Sequence, residues 1–430
     1  MSKVKATSRT ALTALLLAAA SLLCACSSGA GGAYGAYRSE AVQENETEQT
    51  RIVTPELPNE SEPQRNIYAS DVQTVRIVAA GDSMCHEAVA RYAAACGGEG
   101  EYDFTPIYDD IADYIRLSDA SIVNFEAVIS ESGDYDYFPK YIVPPTAIDA
   151  LTGIGFNIID LSNDHMLDGG VEGVLATESY VRKCGALPLA EYADRSDLEN
   201  IRIADIDGIR VALVYFVGKT NVSNSDGSGI YVPYVNIQDM KTQMKIAKQK
   251  ADAIIAVMHW GTENELDPGD SQRSLAAILA ECGADVVIGY GPHVLQSIET
   301  LPRPDGGTTL VAYSLGNFMT GMYYAKNAVG GLLGFDLTVR STENGPSISI
   351  DNISFLPTVC HYNSSRSAFR VMPLSDYTEE LCNEHGGQKY GSLHLPSCTD
   401  MCAARYRTSI CRMLFCISKS VGVTPMLHEQ

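Results

Sequence analysis

The chain reads as an α/β protein, and three observations carry that reading. Short apolar runs rich in Val and Ile alternate with stretches of helical period from residue 75 onward. Six of these runs end in polar residues, as strands do when they deliver side chains to one edge of a covered sheet. At 430 residues and 45% hydrophobic content, the chain is long enough to bury one large core.

Along the chain, the first feature is a leader. Lys3, Lys5 and Arg9 precede the one long apolar run, Ala11–Ala25, which Thr13 and Ser21 interrupt. A basic start, a short apolar core and small residues at its end describe a secretory signal, not a membrane span. Leu23-Cys24-Ala25-Cys26 resembles a bacterial lipobox, with Cys26 as the lipidated first residue of the mature chain (residues 1–26 being the signal). Residues 27–74 are rich in Gly, Ser, Glu, Asn, Gln and Pro and read as a flexible acidic linker.

The main domain is placed at 75–380. Strands are predicted at Val75–Ala80, Ser121–Phe125, Phe156–Leu161, Val211–Val217, Ala253–Met258, Asp285–Ile288, Thr309–Tyr313 and Leu332–Val339, with a hairpin-like stretch at Ser347–Phe355. Helices are predicted at Pro106–Leu117, Pro145–Thr152, Gly170–Cys184, Ile237–Lys250 and Ser271–Cys282. Residues 381–430 form a cysteine-rich tail in which the patterning decays, and it is read as poorly ordered.

The formal charge is −22, and removal of Lys3, Lys5 and Arg9 with the leader takes it to −25. An acidic balance this strong argues against nucleic acid as a partner. Of twelve cysteines, Cys85, Cys96, Cys184, Cys282 and Cys360 are dispersed without a Cys-x-x-Cys pair and do not make a zinc framework.

Chemistry gathers at the strand ends. The predicted strands run into Gly81-Asp82-Ser83, Asn124-Phe125-Glu126, Ser162-Asn163-Asp164-His165, His259-Trp260-Gly261-Thr262-Glu263, Gly289-Tyr290-Gly291-Pro292-His293 and Ser314-Leu315-Gly316-Asn317. Core packing does not call for carboxylates, amides and imidazoles there, whereas a metal or acid–base site does. Imidazole mixed with carboxylate suits Mn, Fe or Zn better than calcium or magnesium. No Gly-x4-Gly-Lys-Ser/Thr phosphate loop is present.

These blocks, with Gly81 to Met84, Asn163 to Gly169, Gly289 to Gln296 and Tyr313-Ser314-Leu315-Gly316-Asn317-Phe318, resemble in order the bacterial capsule synthesis protein CapA family. That family is associated with poly-γ-glutamate and related to calcineurin-like metallophosphatases. The resemblance covers about residues 75–375. It implies a four-layer α/β/β/α sandwich as a single main domain, with two metals at the strand ends. Carried over by motif, Asp82, Glu126, Asn163, His259 and His293 are metal ligands, His165 is the acid that protonates a leaving group, and Glu263 and Asp168 orient it. His86 is an extra candidate whose plainer reading is a surface helix residue. The family's His-Pro-His is Gly291-Pro292-His293 here, so one of the two ion positions lacks an imidazole.

Three functions stay open at this point. One is a metal-dependent hydrolase acting on a phosphoester or an amide of a cell-envelope polymer. The second is a non-catalytic factor that binds an anionic polymer such as poly-γ-glutamate through metal and helps export or attach it. The third, a GDS-type serine esterase using Ser83, lacks the late Asp-x-x-His such enzymes need. The expected location is outside the cytoplasm, on the membrane through the lipid of Cys26, and the resemblance implies a membrane polymer-synthesis complex as partner.

Overall fold

The computed structural model describes residues 72–223, 229–342 and 346–390. All of them belong to one compact unit, Thr50–Gln430. The leader with Cys26, the acidic linker as far as residue 71, and the cysteine-rich segment from residue 391 lie outside the described residues.

Sixteen strands and seven α-helices follow one another in this part of the chain. The strands are β1 (Val72–Ser83), β2 (Ala120–Phe125), β3 (Val128–Ile129), β4 (Ile142–Val143), β5 (Ile158–Asp160), β6 (Leu187–Leu189), β7 (Arg202–Ile206) and β8 (Ile209–Val217). They continue as β9 (Ala253–His259), β10 (Val286–Tyr290), β11 (Ile298–Pro302), β12 (Thr308–Ala312), β13 (Asn317–Met319), β14 (Val329–Arg340), β15 (Ser347–Tyr362) and β16 (Phe369–Pro373). The helices are α1 (Glu87–Gly97), α2 (Ala112–Arg116), α3 (Thr146–Gly153), α4 (Gly170–Lys183), α5 (Ile237–Lys250), α6 (Asp270–Glu281) and α7 (Glu379–Glu384). None of the described helices is long and apolar enough to cross a membrane.

The strands form an eight-stranded sheet in the order β16-β15-β14-β1-β2-β5-β6, with β13 also beside β1, and a six-stranded sheet in the order β11-β12-β10-β9-β8-β7. In the first, β1, β2, β5 and the edge strand β6 are parallel, as are β8, β9, β10 and β12 in the second.

Period-two alternation explains how the sheets are covered. On β1, Val75, Ile77 and Ala79 share an apolar cluster with Val211, Leu213 and Tyr215 of β8, Ile255 of β9 and Ile288 of β10. Their neighbours Val78 and Ala80 face another cluster, with Val89 of α1, Ile115 of α2, Leu151 of α3 and Val174 of α4. Ala212, Val214 and Phe216 of β8 turn the other way, against Met240 and Met244 of α5 and Leu279 of α6. Trimming Ile77, which has no exposed surface, to alanine costs about 2–5 kcal/mol.

The observed α/β class agrees with the sequence reading, and α5 occupies the predicted Ile237–Lys250. The predicted helix Pro106–Leu117 is shorter: Thr105–Ile107 is a 3-10 turn and only Ala112–Arg116 is α-helical. Helix α1, which buries Ala88, Val89, Ala90 and Ala93, has no counterpart in the sequence reading. Regular structure continues past residue 380 into α7, which buries Cys382. The six described cysteines are free thiols; Cys85, Cys360 and Cys382 are buried, and Cys96 is exposed.

Candidate metal centre

Five polar strand tips meet at one pole of the two sheets. Asp82 stands at the end of β1, Glu126 follows β2, and Asp164 lies beyond β5, all in the first sheet. From the second sheet, His259 is the last residue of β9 and His293 lies three residues beyond β10. Parallel pairing makes this convergence unavoidable: Asp82 registers with Asn124, and Asn124 with Asp160. The Tyr313-Ser314-Leu315-Gly316-Asn317 stretch carries the chain from β12 in the second sheet to β13 beside β1 in the first. Gly316 makes that crossover at φ +67°, where a Cβ would stand 2.7 Å from the Val329 carbonyl oxygen.

All five side chains are buried. They form two triads able to hold metal, Asp82–Glu126–His293 and Glu126–Asp164–His259, with Glu126 common to both. His293 Nδ1 is 3.1 Å from Asp82 Oδ2, and its Nε2 is 3.5 Å from Glu126 Oε1. His259 Nε2 is 3.7 Å from both Glu126 Oε2 and Asp164 Oδ1. Distances of 3.5–3.7 Å are too long for hydrogen bonds, yet suit two ligands that each lie ~2.1 Å from one ion. Neither His259 Nε2 nor Asp164 Oδ1 has a hydrogen-bond partner. Among the described residues, no Lys or Arg pairs with Asp82, Glu126 or Asp164 within 4.0 Å. Three buried carboxylates faced only by two imidazoles leave an excess of negative charge even when both rings are protonated, and divalent ions would offset that cost, so the donor set fits metal.

Protonation follows the same charges. Burial alone would lower both imidazoles, but Glu126 and the neighbouring Asp164 and Asp82 push His259 up to about 9 and His293 up to about 10. Burial raises the Glu126 carboxyl, opposed by His293 and His259. Asp164 is held below its usual range by His259, His165 and His293 in spite of burial.

A second tier of side chains fixes these ligands. Asn124 Nδ2 donates to Asp82 Oδ1 at 2.8 Å and to Glu126 Oε2 at 3.2 Å. Asn163 Nδ2 donates to Asn124 Oδ1 and to the Phe125 carbonyl, both at 2.9 Å, and its Oδ1 accepts from the His165 N–H. The Asn163 side chain thus bonds protein on both ends, with its Oδ1 accepting a single hydrogen bond. His293 has a left-handed backbone, φ +57°. Its carbonyl accepts from Asn317 Nδ2 at 3.3 Å and Asn327 Nδ2 at 2.9 Å.

His165 Nδ1 is 2.6 Å from Asp168 Oδ2, which also accepts from the Tyr141 N–H at 2.6 Å. Burial works against the charged imidazole, but Asp168 raises it. Its Nε2 faces the Asn221 amide nitrogen at 3.2 Å. Glu263 is exposed on the loop after β9. After burial, Glu126, Asp168 and Glu263 push the Tyr141 phenol up. His86 is half-buried at the N-terminus of α1; its Nδ1 accepts from the Gly321 N–H at 3.1 Å, and burial pushes it down to about 3. Gly291 packs on the His259 ring at φ +104°, where a Cβ would come within 3.1 Å of His259 Cε1 and 2.8 Å of the Trp260 carbonyl. This backbone has no room for a side chain there. Ser83 Oγ is buried and bonds no imidazole among the described residues, leaving the esterase reading without its base.

Asp164, Asn124, Tyr141, Asn221 and Asn327 were not singled out as site residues by the sequence reading. For Asp164 a signal existed, since it stands between Asn163 and His165 in a block already placed at a strand end. The others act through contacts that only the packed structure makes.

Residues 76–322, more than half of the chain, match the family model described as bacterial capsule synthesis protein PGA_cap. The chain belongs to that family. It is 26% identical over 295 residues to the PGA biosynthesis protein CapA of Bacillus subtilis (strain 168), covering 65% of this chain and 72% of that one. It is 26% identical over 246 residues to the capsule biosynthesis protein CapA of Bacillus anthracis, covering 55% and 59%. A probable polyglutamine synthesis accessory protein of Mycobacterium tuberculosis, Rv0574c, is 24% identical over 196 residues, covering 42% and 52%. All five triad residues and the His165–Asp168 pair fall inside the family match, whereas β14 to α7 lie beyond it.

Proposed function

We propose that this protein acts in the assembly of an anionic cell-envelope polymer of the poly-γ-glutamate class, as an exported lipoprotein anchored through Cys26 outside the cytoplasm. The names of its relatives support the polymer, and the leader sequence supports export and anchoring. The fold is read as a four-layer α/β/β/α sandwich of the metallophosphatase type; two sheets sharing one apolar cluster, each with helices against its other face, support it. A membrane polymer-synthesis complex is the partner this role calls for.

The observation that carries the reading is the sharing of Glu126 by two triads. Asp82, Glu126 and His293 would hold one divalent ion, and Glu126, Asp164 and His259 a second, with Mn, Fe or Zn as the candidates. Bound ions would supply Lewis acidity toward a water and toward a carbonyl or phosphoryl oxygen. The chain's own residues do the rest. Asp168 holds the His165 ring through Nδ1, which leaves Nε2 to give a proton to a departing alkoxide or amine. Asn221 donates to Nε2 in the neutral ring and, turned end for end, accepts from it in the charged one. Water is consumed, one phosphoester or amide bond breaks, and the leaving group departs protonated.

A second reading, a polymer-binding factor without turnover, is favoured by Gly291, which leaves the second ion one imidazole short.

Elemental analysis of the purified protein tests the centre: near-stoichiometric transition metal is expected, and His259→Ala with His293→Ala should strip it. A wild-type protein that holds none overturns the proposal. Hydrolysis of a phosphodiester or γ-glutamyl peptide that His165→Ala abolishes with metal retained selects the enzyme. Polymer binding that needs metal, with no hydrolysis, selects the second reading.

A further inference from the structure

Arg366 sits in the turn between β15 and β16, outside the part of the chain that matches the family. Every other described arginine except the exposed Arg340 has a carboxylate within 4.0 Å. Arg366 has none among the described residues, although it is half-buried. Its guanidinium lies over the Tyr323 ring, 4.3 Å from the centroid, and 5.3 Å from that of Tyr362. Nη2 donates to the Gly321 carbonyl, and Nε is buried with no acceptor. The backbone is held at φ +56° in a turn closed by the Arg366 N–H to the Asn363 carbonyl. A stacked, partly desolvated guanidinium with no carboxylate partner and an Nε–H without an acceptor is suited to receive an oxyanion.

Its position connects it to the metal centre. Arg366 Nη2 and His86 Cβ both lie 2.8 Å from the point where a Cβ on Gly321 would stand. The His86 ring meets that of Tyr141 at 5.1 Å, and Tyr141 meets His165 at 4.5 Å, both edge to face. Gly321 donates its N–H to His86 Nδ1, so the neutral ring carries its proton on Nε2. One wall therefore runs from Arg366 through His86 and Tyr141 to His165.

We propose that Arg366, at the end of this wall, is an oxyanion subsite that binds a pendant carboxylate of the polymer whose neighbouring unit occupies the metal centre. The polymer's identity rests on the proposed function; the oxyanion subsite does not. A chain carrying one carboxylate per unit would be gripped at two points, which sets its direction across the site and favours acidic over neutral chains.

Isothermal titration of the manganese-loaded full chain tests this with three probes: a γ-glutamyl hexamer, the same hexamer as its methyl ester, and inorganic phosphate. Arg366→Gln should weaken the acid hexamer at least about tenfold while leaving the ester's affinity and the bound manganese unchanged. Arg366→Lys, which keeps the charge but loses the planar fork, should fall between the two. Equal affinity of wild type and Arg366→Gln for both anions overturns the subsite, as does an equal loss for acid and ester. Should the hexamer not bind wild type while phosphate binding depends on Arg366, the subsite stands and the polymer assignment falls. If Arg366→Gln does not fold, Arg366→Lys decides: an acid-to-ester affinity ratio below that of wild type supports the subsite, and an unchanged ratio refutes it.

Discussion

Two pairs of buried histidines in this protein titrate in opposite directions. His259 and His293 are pushed up to about 9 and about 10, whereas His361 and His385, near the end of the described chain, are pushed down to about 4. Burial lowers all four, so burial does not separate them. The neighbours do. Around His259 and His293 stand Glu126, Asp164 and Asp82, and among the described residues no arginine or lysine pairs with those carboxylates within 4.0 Å. His361 and His385 face each other, with ring centroids 5.5 Å apart, and Arg370 adds to the positive field at His361. Their other neighbours are neutral: Tyr377 beside His361, Tyr362 beside His385. His385 accepts the Gly387 N–H on Nδ1 at 2.9 Å and donates from Nε2 to the Cys360 carbonyl at 3.2 Å, which fixes a neutral ring. One pair is built to meet positive charge, the other to exclude it.

The strongest way to break this contrast is to remove the shared carboxylate. Glu126→Gln should weaken metal binding at both triads by more than the ~10–100-fold that loss of an outer partner costs. Asp164→Asn should remove one equivalent and leave the other, as read by metal titration. Equal losses in the two variants would mean that the triads do not fill separately.

An acid titration sharpens the other half. The unfolded imidazoles bind protons near pH 6.5 and the folded ones only near 4. Between those values the unfolded state holds more protons, so stability falls as the pH drops from about 6.5 to 4 and levels off below. Each histidine accounts for up to roughly 3 kcal/mol of that loss. His86, pushed down to about 3, acts in the same sense. Urea unfolding of His385→Gln should show a shallower decline than wild type over this range. His259 and His293, whose folded values lie above 6.5, contribute their own slope at higher pH, where their stabilisation fades as the pH rises.

The smallest effect concerns the clamp behind His293. Asn327→Ala removes the donor to the His293 carbonyl and the bond to Asn264 Oδ1. We expect about 1–2 kcal/mol lower stability by denaturant midpoint and up to about tenfold weaker binding at the Asp82 triad, with the Asp164 triad unaffected.

One side of this contrast is legible in the sequence. Apolar runs closed by Asp82, Glu126, His259 and His293 mark strand tips, and a parallel sheet brings such tips to one edge. Asp164 was legible only as a member of the block that also holds Asn163 and His165. Adjacent polar residues in a turn point different ways, and only the packed structure brings Asp164 Oδ1 to 3.7 Å from His259 Nε2. The pair His361 and His385 was equally hidden. Its members lie on β15 and after α7, and nothing in their spacing says that Tyr362 and Cys360 bring them together.

Each triad takes two carboxylates from one sheet and one imidazole from the other. An ion in either would therefore rivet the two sheets across their seam, joining Asp82 to His293 over 211 positions of chain. No fragment lacking either sheet can assemble the set. Chelation should then loosen the seam at this pole first, and a protease reaching the loops beyond β5 and β10 would report it.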